Sequence, residues 1–168
     1  MSIDIRAETP ADVAAIAAVT TAAFLDASHT SHTEQFIVDA LRKAGKLSIS
    51  LVAEMDGEVV GHVAVSPVRI SDGARDWFGL GPVSVLPEHQ ARGIGSALIS
   101  EALRLLRERG AGGCVVLGEP MYYERFGFKP EAGLVLLGVP PEYFQALSLG
   151  SAMPRGTVSY HDAFNAQG

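Results

Sequence analysis

Residues Gly79 to Ser96 read Gly-Leu-Gly-Pro-Val-Ser-Val-Leu-Pro-Glu-His-Gln-Ala-Arg-Gly-Ile-Gly-Ser, and they leave the chain few folds to choose from. Leu80 to Leu86 is a short apolar strand interrupted by Gly81-Pro82. Pro87 ends it, because proline offers no N–H to a neighbouring strand. A polar turn follows, then Gly93 and Gly95, then a helical pattern from Ala97 onward. Strand, turn and glycine-opened helix together make an anion site. The first N–H groups of a helix have no partner inside it, and the peptide dipoles add partial positive charge at that end. Phosphate oxygens satisfy both. A Cβ at Gly93 or Gly95 would hold such a ligand off the backbone.

Two common phosphate loops are excluded by the same residues. The dinucleotide fingerprint needs a third glycine where Leu98 stands, and the Gly-Lys-Ser/Thr of a P-loop is absent. What remains, Gln90-Ala91-Arg92-Gly93-Ile94-Gly95, fits Gln/Arg-x-x-Gly-x-Gly/Ala. Following a strand that ends Val83-Ser84-Val85, it resembles the acetyl-CoA pyrophosphate loop of the GCN5-related N-acetyltransferases. Tyr123-Glu124-Arg125-Phe126-Gly127-Phe128 is similar to that family's Tyr-x-x-x-Gly-Phe segment. Two ordered motifs about thirty residues apart are far more specific than either alone, and the tail of the chain also resembles the family's YhbS-like branch. The resemblance implies an α/β (α+β) fold: a mixed, mostly antiparallel central sheet with a splayed parallel strand pair and helices on both faces.

The rest of the chain is consistent with that architecture. Ile3 to Ala7 alternates as a strand. Thr9-Pro10-Ala11-Asp12 opens a helix whose inward stripe is expected to be Val13, Ile16, Ala17, Thr20, Phe24 and Leu25. After a polar break from Asp26 to Thr33, Glu34 to Ala44 forms a second helix burying Phe36, Ile37, Ala40 and Leu41, stopped by Gly45. Leu47 to Glu54 and Glu58 to Arg69 make a hairpin about Met55-Asp56-Gly57. The helix from about Gly93 to Arg109 leads through Gly112-Gly113 into a strand, Cys114 to Leu117, and a strand–helix–strand crossover of this kind joins parallel strands. Beyond it, Met121 to Arg125 is read as a helical turn, Phe126-Gly127-Phe128 as a turn into another strand, Leu134 to Val139 as one more strand, and Pro140 to Leu147 as a short helix before a terminal extended piece. No linker or repeat interrupts the 168 residues, so one domain spanning 1–168 is expected.

By resemblance, the cosubstrate is acetyl-CoA. Its pyrophosphate would lie on Gln90, Arg92, Gly93, Gly95 and Ser96, and its pantetheine amides on the backbone of Val83 and Val85, as a missing strand. The Gly81-Pro82 interruption suggests a bulge aiming a main-chain N–H at the thioester carbonyl. Tyr123 occupies the position of the general acid that protonates the leaving sulfur, and His29, Ser31 and His32 fall where the family's acceptor pocket has one wall. Many relatives carry a glutamate on the central strand as base, whereas Phe78 to Leu86 contains no carboxylate. Glu119, His62 and Ser84 stay open as the base or as holders of a water relay. His62 reads equally as a hydrogen-bonded histidine beside the core.

Composition narrows the partners. A net charge of −6 argues against nucleic acid and anionic membranes, and suits a cationic amine acceptor, whether small molecule or peptide. One cysteine, Cys114 in an apolar strand, excludes an internal disulfide and a cysteine zinc cluster, and no metal is expected. No leader or run of 18 apolar residues is present, from which a cytoplasmic setting is expected. A homodimer is implied only by the family. Two other activities compete with transfer to a small-molecule or peptide amine: acyl-CoA binding without turnover, and acetylation of protein termini or lysines.

Overall fold

The computed structural model describes residues 2–27 and 30–168. Its elements in chain order are β1 (Asp4–Ala7), α1 (Val13–Phe24), α2 (Glu34–Lys43), β2 (Ile49–Met55), β3 (Glu58–Ile70), β4 (Trp77–Val85), α3 (Ile94–Glu108), β5 (Gly113–Leu117), α4 (Pro120–Glu124), β6 (Leu134–Val135), β7 (Phe144–Ser148) and β8 (Gly156–Tyr160). The sheet runs β1-β2-β3-β4-β5-β7, with β8 pairing β3 and β6. β1–β2, β2–β3 and β5–β7 are antiparallel, and β4–β5 is a parallel pair, as expected for the crossover. None of the helices described is long and apolar enough to cross a membrane. The chain divides into two compact units, Met1–Val65 with Gly81–Ala102 and Asp162–Gly168, and Ser66–Leu80 with Leu103–His161.

In the first unit, the hairpin forms on Asp56 and Gly57, both in the left-handed region (φ 53 and 80), the backbone that a two-residue turn between twisted strands requires. One sheet face receives α1 and α2, through Ile16 and Val38 against Val52 and Ala64. The other receives α3, for which Gly61 leaves room. A Cβ there would lie 3.1 Å from Ile94 and from Leu98. The residues 162–168 return to this unit, where Ala163 packs with Ile37 and Leu41 of α2.

Before α1 the chain forms a 3-10 turn, Pro10–Asp12. Asp12 accepts hydrogen bonds from the Thr9 N–H at 2.7 Å and its hydroxyl at 3.1 Å, while Arg6 grips both carboxylate oxygens at 2.7 and 3.1 Å. The expected stripe of α1 holds in part: Ile16 and Thr20 are inside, joined by Val19, whereas Ala17 is exposed and Leu25 is 64% exposed. In α2 the buried residues are Ile37, Val38 and Leu41, and Phe36 lies at the margin. Alanine-rich α1 carries too little contrast between its faces for periodicity to choose one.

The second unit is built on the end of β3, the start of β4, and β5 to β8. Its core joins Val68, Ile70, Trp77, Val115, Leu134, Phe144, Ala146 and Val158. Two expectations fail here. The short helix anticipated over Pro140 to Leu147 is only a 3-10 turn, Pro141–Tyr143, after which Phe144–Ser148 is β7, paired with β5 from Leu117↔Phe144 to Gly113↔Ser148. Bonding an otherwise unpaired edge of β5 outweighs a weak local helical preference. Gly127 (φ 99) makes the turn expected at Phe126-Gly127-Phe128, but the strand after it is only an isolated bridge, Lys129↔Ala146, and the strand anticipated at Leu134–Val139 shrinks to the two-residue β6, because Gly138 (φ 85) turns the chain.

Candidate active site

The Gly79–Ser96 stretch adopts the arrangement that its residues imply. Among the described residues, the parallel register of β4 with β5 runs from Trp77↔Gly113 to Leu80↔Val116. Gly81 follows at φ 128, and Gly81–Val85 continue β4 past the last of these pairs. Pro87–His89 forms a 3-10 turn, and the Gln90 side-chain amide donates back to the Val85 carbonyl at 3.0 Å, folding the loop against the strand end. Ala91 (φ 63) and Gly93 (φ 83) are both left-handed and turn the chain into the fifteen-residue α3.

At Gly93 the space beside the Cα is open, so glycine is required by backbone conformation, not by a neighbouring side chain. Ala91 has no such freedom. A non-glycine residue held in that region costs about 1–2 kcal/mol, and such strain collects where a loop must present its amides. Ala97 N–H bonds the Gly93 carbonyl at 3.0 Å, so the helical ladder begins there and the amides of Ile94 and Gly95 belong to the first turn, whose N–H groups look out along the axis. Arg92 is exposed beside them. Such an arrangement of amides and a guanidinium can receive an anion.

Also in the first unit, Ser84 is 1% exposed and its hydroxyl has no hydrogen-bond partner among the described residues. His62 on β3 is fully buried; its Nε2 lies 2.8 Å from the Ser50 hydroxyl and its Nδ1 has no partner among the described residues. Burial, acting against the charged imidazolium, lowers its pKa to about 4. Ser50 in turn donates to Glu8, whose carboxylate is clamped by Arg42 at 2.8 and 2.9 Å. Ser50, Glu8 and Arg42 were not legible as site residues, since they lie 12, 54 and 20 positions from His62 in no motif. Ser31 and His32 stand at the entry to α2. Ser31 Oγ is 2.5 Å from Thr33 Oγ1 and its N–H reaches Glu34, while His32 (φ 59) is exposed. His29 lies outside the described residues.

In the second unit, Tyr123 sits on α4, its N–H bonded to the Glu119 carbonyl at 3.1 Å. Its ring lies over Gly118, where a Cβ would come within 2.4 Å of it, and meets Phe128 edge-on at 6.0 Å. Burial, with smaller contributions from Tyr122 and Cys114, raises its pKa to about 12, so the hydroxyl is protonated throughout the neutral range. Tyr122 turns elsewhere, under the Arg125 guanidinium 4.7 Å from its ring. Glu119 is exposed. Cys114 is a buried thiol whose pKa burial pushes well up, which suits a packing role. Among the described residues no group of three or more His, Cys, Asp or Glu is placed to hold a metal ion.

The family model for the acetyltransferase (GNAT) domain matches residues 4–130. The chain belongs to the GNAT acetyltransferase family. It is 36% identical, over 96% of its length and 98% of the relative's, to a protein of Escherichia coli (strain K12) named Uncharacterized N-acetyltransferase YhbS. Among solved structures, a GNAT family acetyltransferase from Brucella melitensis in complex with acetyl-CoA is 51% identical, with a TM-score of 0.87 over 97% of this chain and 98% of that one. YhbS from Escherichia coli in complex with CoA gives 35% identity and a TM-score of 0.85, covering 99% and 93%. The mixed sheet with its parallel pair is thus the GNAT fold.

Proposed function

We propose that residues 1–168 act as one N-acetyltransferase domain that moves the acetyl group of acetyl-CoA directly onto a primary amine of a small molecule or peptide. The observation carrying this reading is the loop from Gln90 to Gly95, left-handed at Ala91 and Gly93 and emptying into the first turn of α3. The 51%-identical Brucella relative, whose structure holds acetyl-CoA, supports the choice of cosubstrate.

In this reading the amides of Gly93, Gly95 and Ser96, with Arg92, hold the pyrophosphate, and Gln90 keeps the loop folded against Val85. The main chain of Val83 and Val85 pairs with the pantetheine amides as a strand would. Acetyl-CoA supplies an activated thioester. The chain's residues orient it, take a proton from the incoming amine and return one to the sulfur that departs. Tyr123 holds that second proton. Its burial makes it a poorer acid than a free phenol, but a thiolate emerging in the same desolvated surroundings is correspondingly more basic. His62, Ser84 and Glu119 are the groups available to the amine's proton, and Ser31 and His32, with His29, to the acceptor itself.

Titration calorimetry with CoA, followed by thiol release from acetyl-CoA across polyamines, amino acids, aminoacyl compounds and peptide N-termini, tests this. Binding and amine-dependent release are expected. Binding without release from any acceptor would leave an acyl-CoA-binding module, and no binding would remove the assignment altogether.

A further inference from the structure

His62 is placed by a line of hydrogen bonds whose directions can be worked out. The Glu8 carboxylate receives two N–H bonds from Arg42, and although burial opposes it, these and the Ser50 hydrogen bond hold its pKa below the ordinary value. An ionised carboxylate only accepts, so the Ser50 hydroxyl proton points to Glu8. Ser50 Oγ therefore faces His62 with a lone pair, and His62 Nε2, 2.8 Å away, must carry the hydrogen. The other ring nitrogen, Nδ1, is then an unprotonated lone pair, fully buried and without a hydrogen-bond partner among the described residues.

A second group with no partner among the described residues is Ser84 on β4. The Leu86 N–H donates to the Val60 carbonyl at 2.9 Å, and continuing that antiparallel register sets Ser84 opposite His62 on the neighbouring strand. Directly opposed side chains stand about 5 Å apart at Cβ. The register thus brings two buried polar atoms, the Ser84 hydroxyl and His62 Nδ1, onto adjacent strands, and one water with a hydrogen bond to each would satisfy both. A buried polar atom left unsatisfied costs about 1–3 kcal/mol, so a pair of them on adjacent strands marks a place built for a guest.

We propose that His62 is the base of the acetyl-transfer reaction, receiving the proton of the acceptor amine at Nδ1 through a water held by Ser84, and that Ser50 and Glu8 are its positioning residues. This rests on the acetyltransferase reading above. As the amine nitrogen bonds to the acetyl carbon, its N–H bond breaks, the bridging water passes a proton on, and an N–H bond forms at Nδ1. The resulting imidazolium keeps its Nε2–H on Ser50, which relays the negative charge of Glu8 to it. After the amide leaves, Nδ1 returns its proton to solvent. Glu8 itself borders a pocket of about 330 Å³ lined with Ala7, Arg42, Gly45, Leu47 and Ser50, so its charge is held between the buried imidazole and the outside.

The test combines a structural and a kinetic readout on the full chain. With 15N-labelled histidine, and His62→Gln to assign the signal, the His62 ring is expected at pH 7 as the Nε2–H tautomer with a bare Nδ1, in the presence and absence of CoA. Ser50→Ala is expected to disturb that tautomer. With acetyl-CoA and an amine found in the panel above, Ser50→Ala and Glu8→Gln should lower kcat about tenfold or more, and His62→Gln about a hundredfold or more. CoA affinity and the KM for acetyl-CoA should be unchanged in all three. Ser50→Thr, which keeps the hydroxyl, should restore most of the rate and guards against loss of folding. An Nδ1–H tautomer, or undiminished kcat in Ser50→Ala, overturns the proposal. If no amine is turned over, acetyl transfer itself fails, while the tautomer still decides whether Glu8 and Ser50 orient His62.

Discussion

At the residue scale, the loop and the tyrosine make separable demands. Gly93→Ala meets no neighbouring atom, so its cost is conformational, about 1 kcal/mol or somewhat more in folding free energy. It should weaken CoA binding by more than that, because a methyl group then stands where phosphate oxygens approach. Denaturant midpoints and calorimetry on one sample separate the two effects. Tyr123→Phe keeps the ring over Gly118 and its edge contact with Phe128, so stability and CoA binding should hardly move. The rate of thiol release should fall about tenfold to a hundredfold, the scale of a lost proton donor. An unchanged rate across pH would remove Tyr123 from the reaction. His62 makes a prediction for stability. Its folded pKa, lowered to about 4, lies below the 6.5 of the unfolded chain, so the unfolded state binds the extra proton between those values. Stability is full above pH 6.5 and is lost as pH falls toward 4, by about 3 kcal/mol if the group titrates alone. The charged groups facing it are Glu8, which opposes the shift, and Arg42, which adds to it. Urea titrations from pH 4 to 7 should show a steep acid limb that His62→Gln flattens, leaving the shallower part due to the Glu8 carboxyl.

At the element scale, the start of α1 shows how closely capping chemistry can be read. Thr9, Pro10 and Asp12 announce the turn, and the structure adds what spacing could not, the guanidinium of Arg6 on the Asp12 carboxylate. That guanidinium, followed by the Thr9 N–H, holds the Asp12 carboxyl well below its usual range. Asp12→Ala should cost about 1–2 kcal/mol, seen as a lower thermal midpoint, with CoA binding unaffected. The motif-bearing elements were legible for a related reason: at the hairpin, the phosphate loop and the helix after it, the residues that set the backbone are glycines, prolines and short polar side chains with local jobs. The buried face of α1 was legible only in part, through Ile16 and Thr20, because an alanine-rich helix looks alike from several sides. Nor was β7, whose strand state depends on β5 some thirty residues earlier. The Glu8–Ser50–His62 line fails for the same reason at the site. Only strand pairing, Ser50↔Ala64 and Val52↔His62, with the Glu8 N–H on the Ser50 carbonyl, brings those three together.

At the scale of the whole molecule, the sequence identified the family and the sheet, and left the later part of the chain underdetermined. The family model ends at residue 130, although β5 obtains its outer neighbour from Phe144–Ser148. Phe144 and Ala146 also complete the core around Trp77 and Val115. A protein shortened to residues 1–130 would present the backbone of Gly113–Leu117 as a bare edge, flanked by exposed core, and is expected to appear in the pellet after expression. Recovery of a monodisperse, CoA-binding fragment would overturn that. The closing strand therefore has a temporal consequence. A nascent chain that has already emitted both of its recognisable motifs still carries an adhesive seam, and it stays vulnerable to its neighbours until synthesis has passed Ser148.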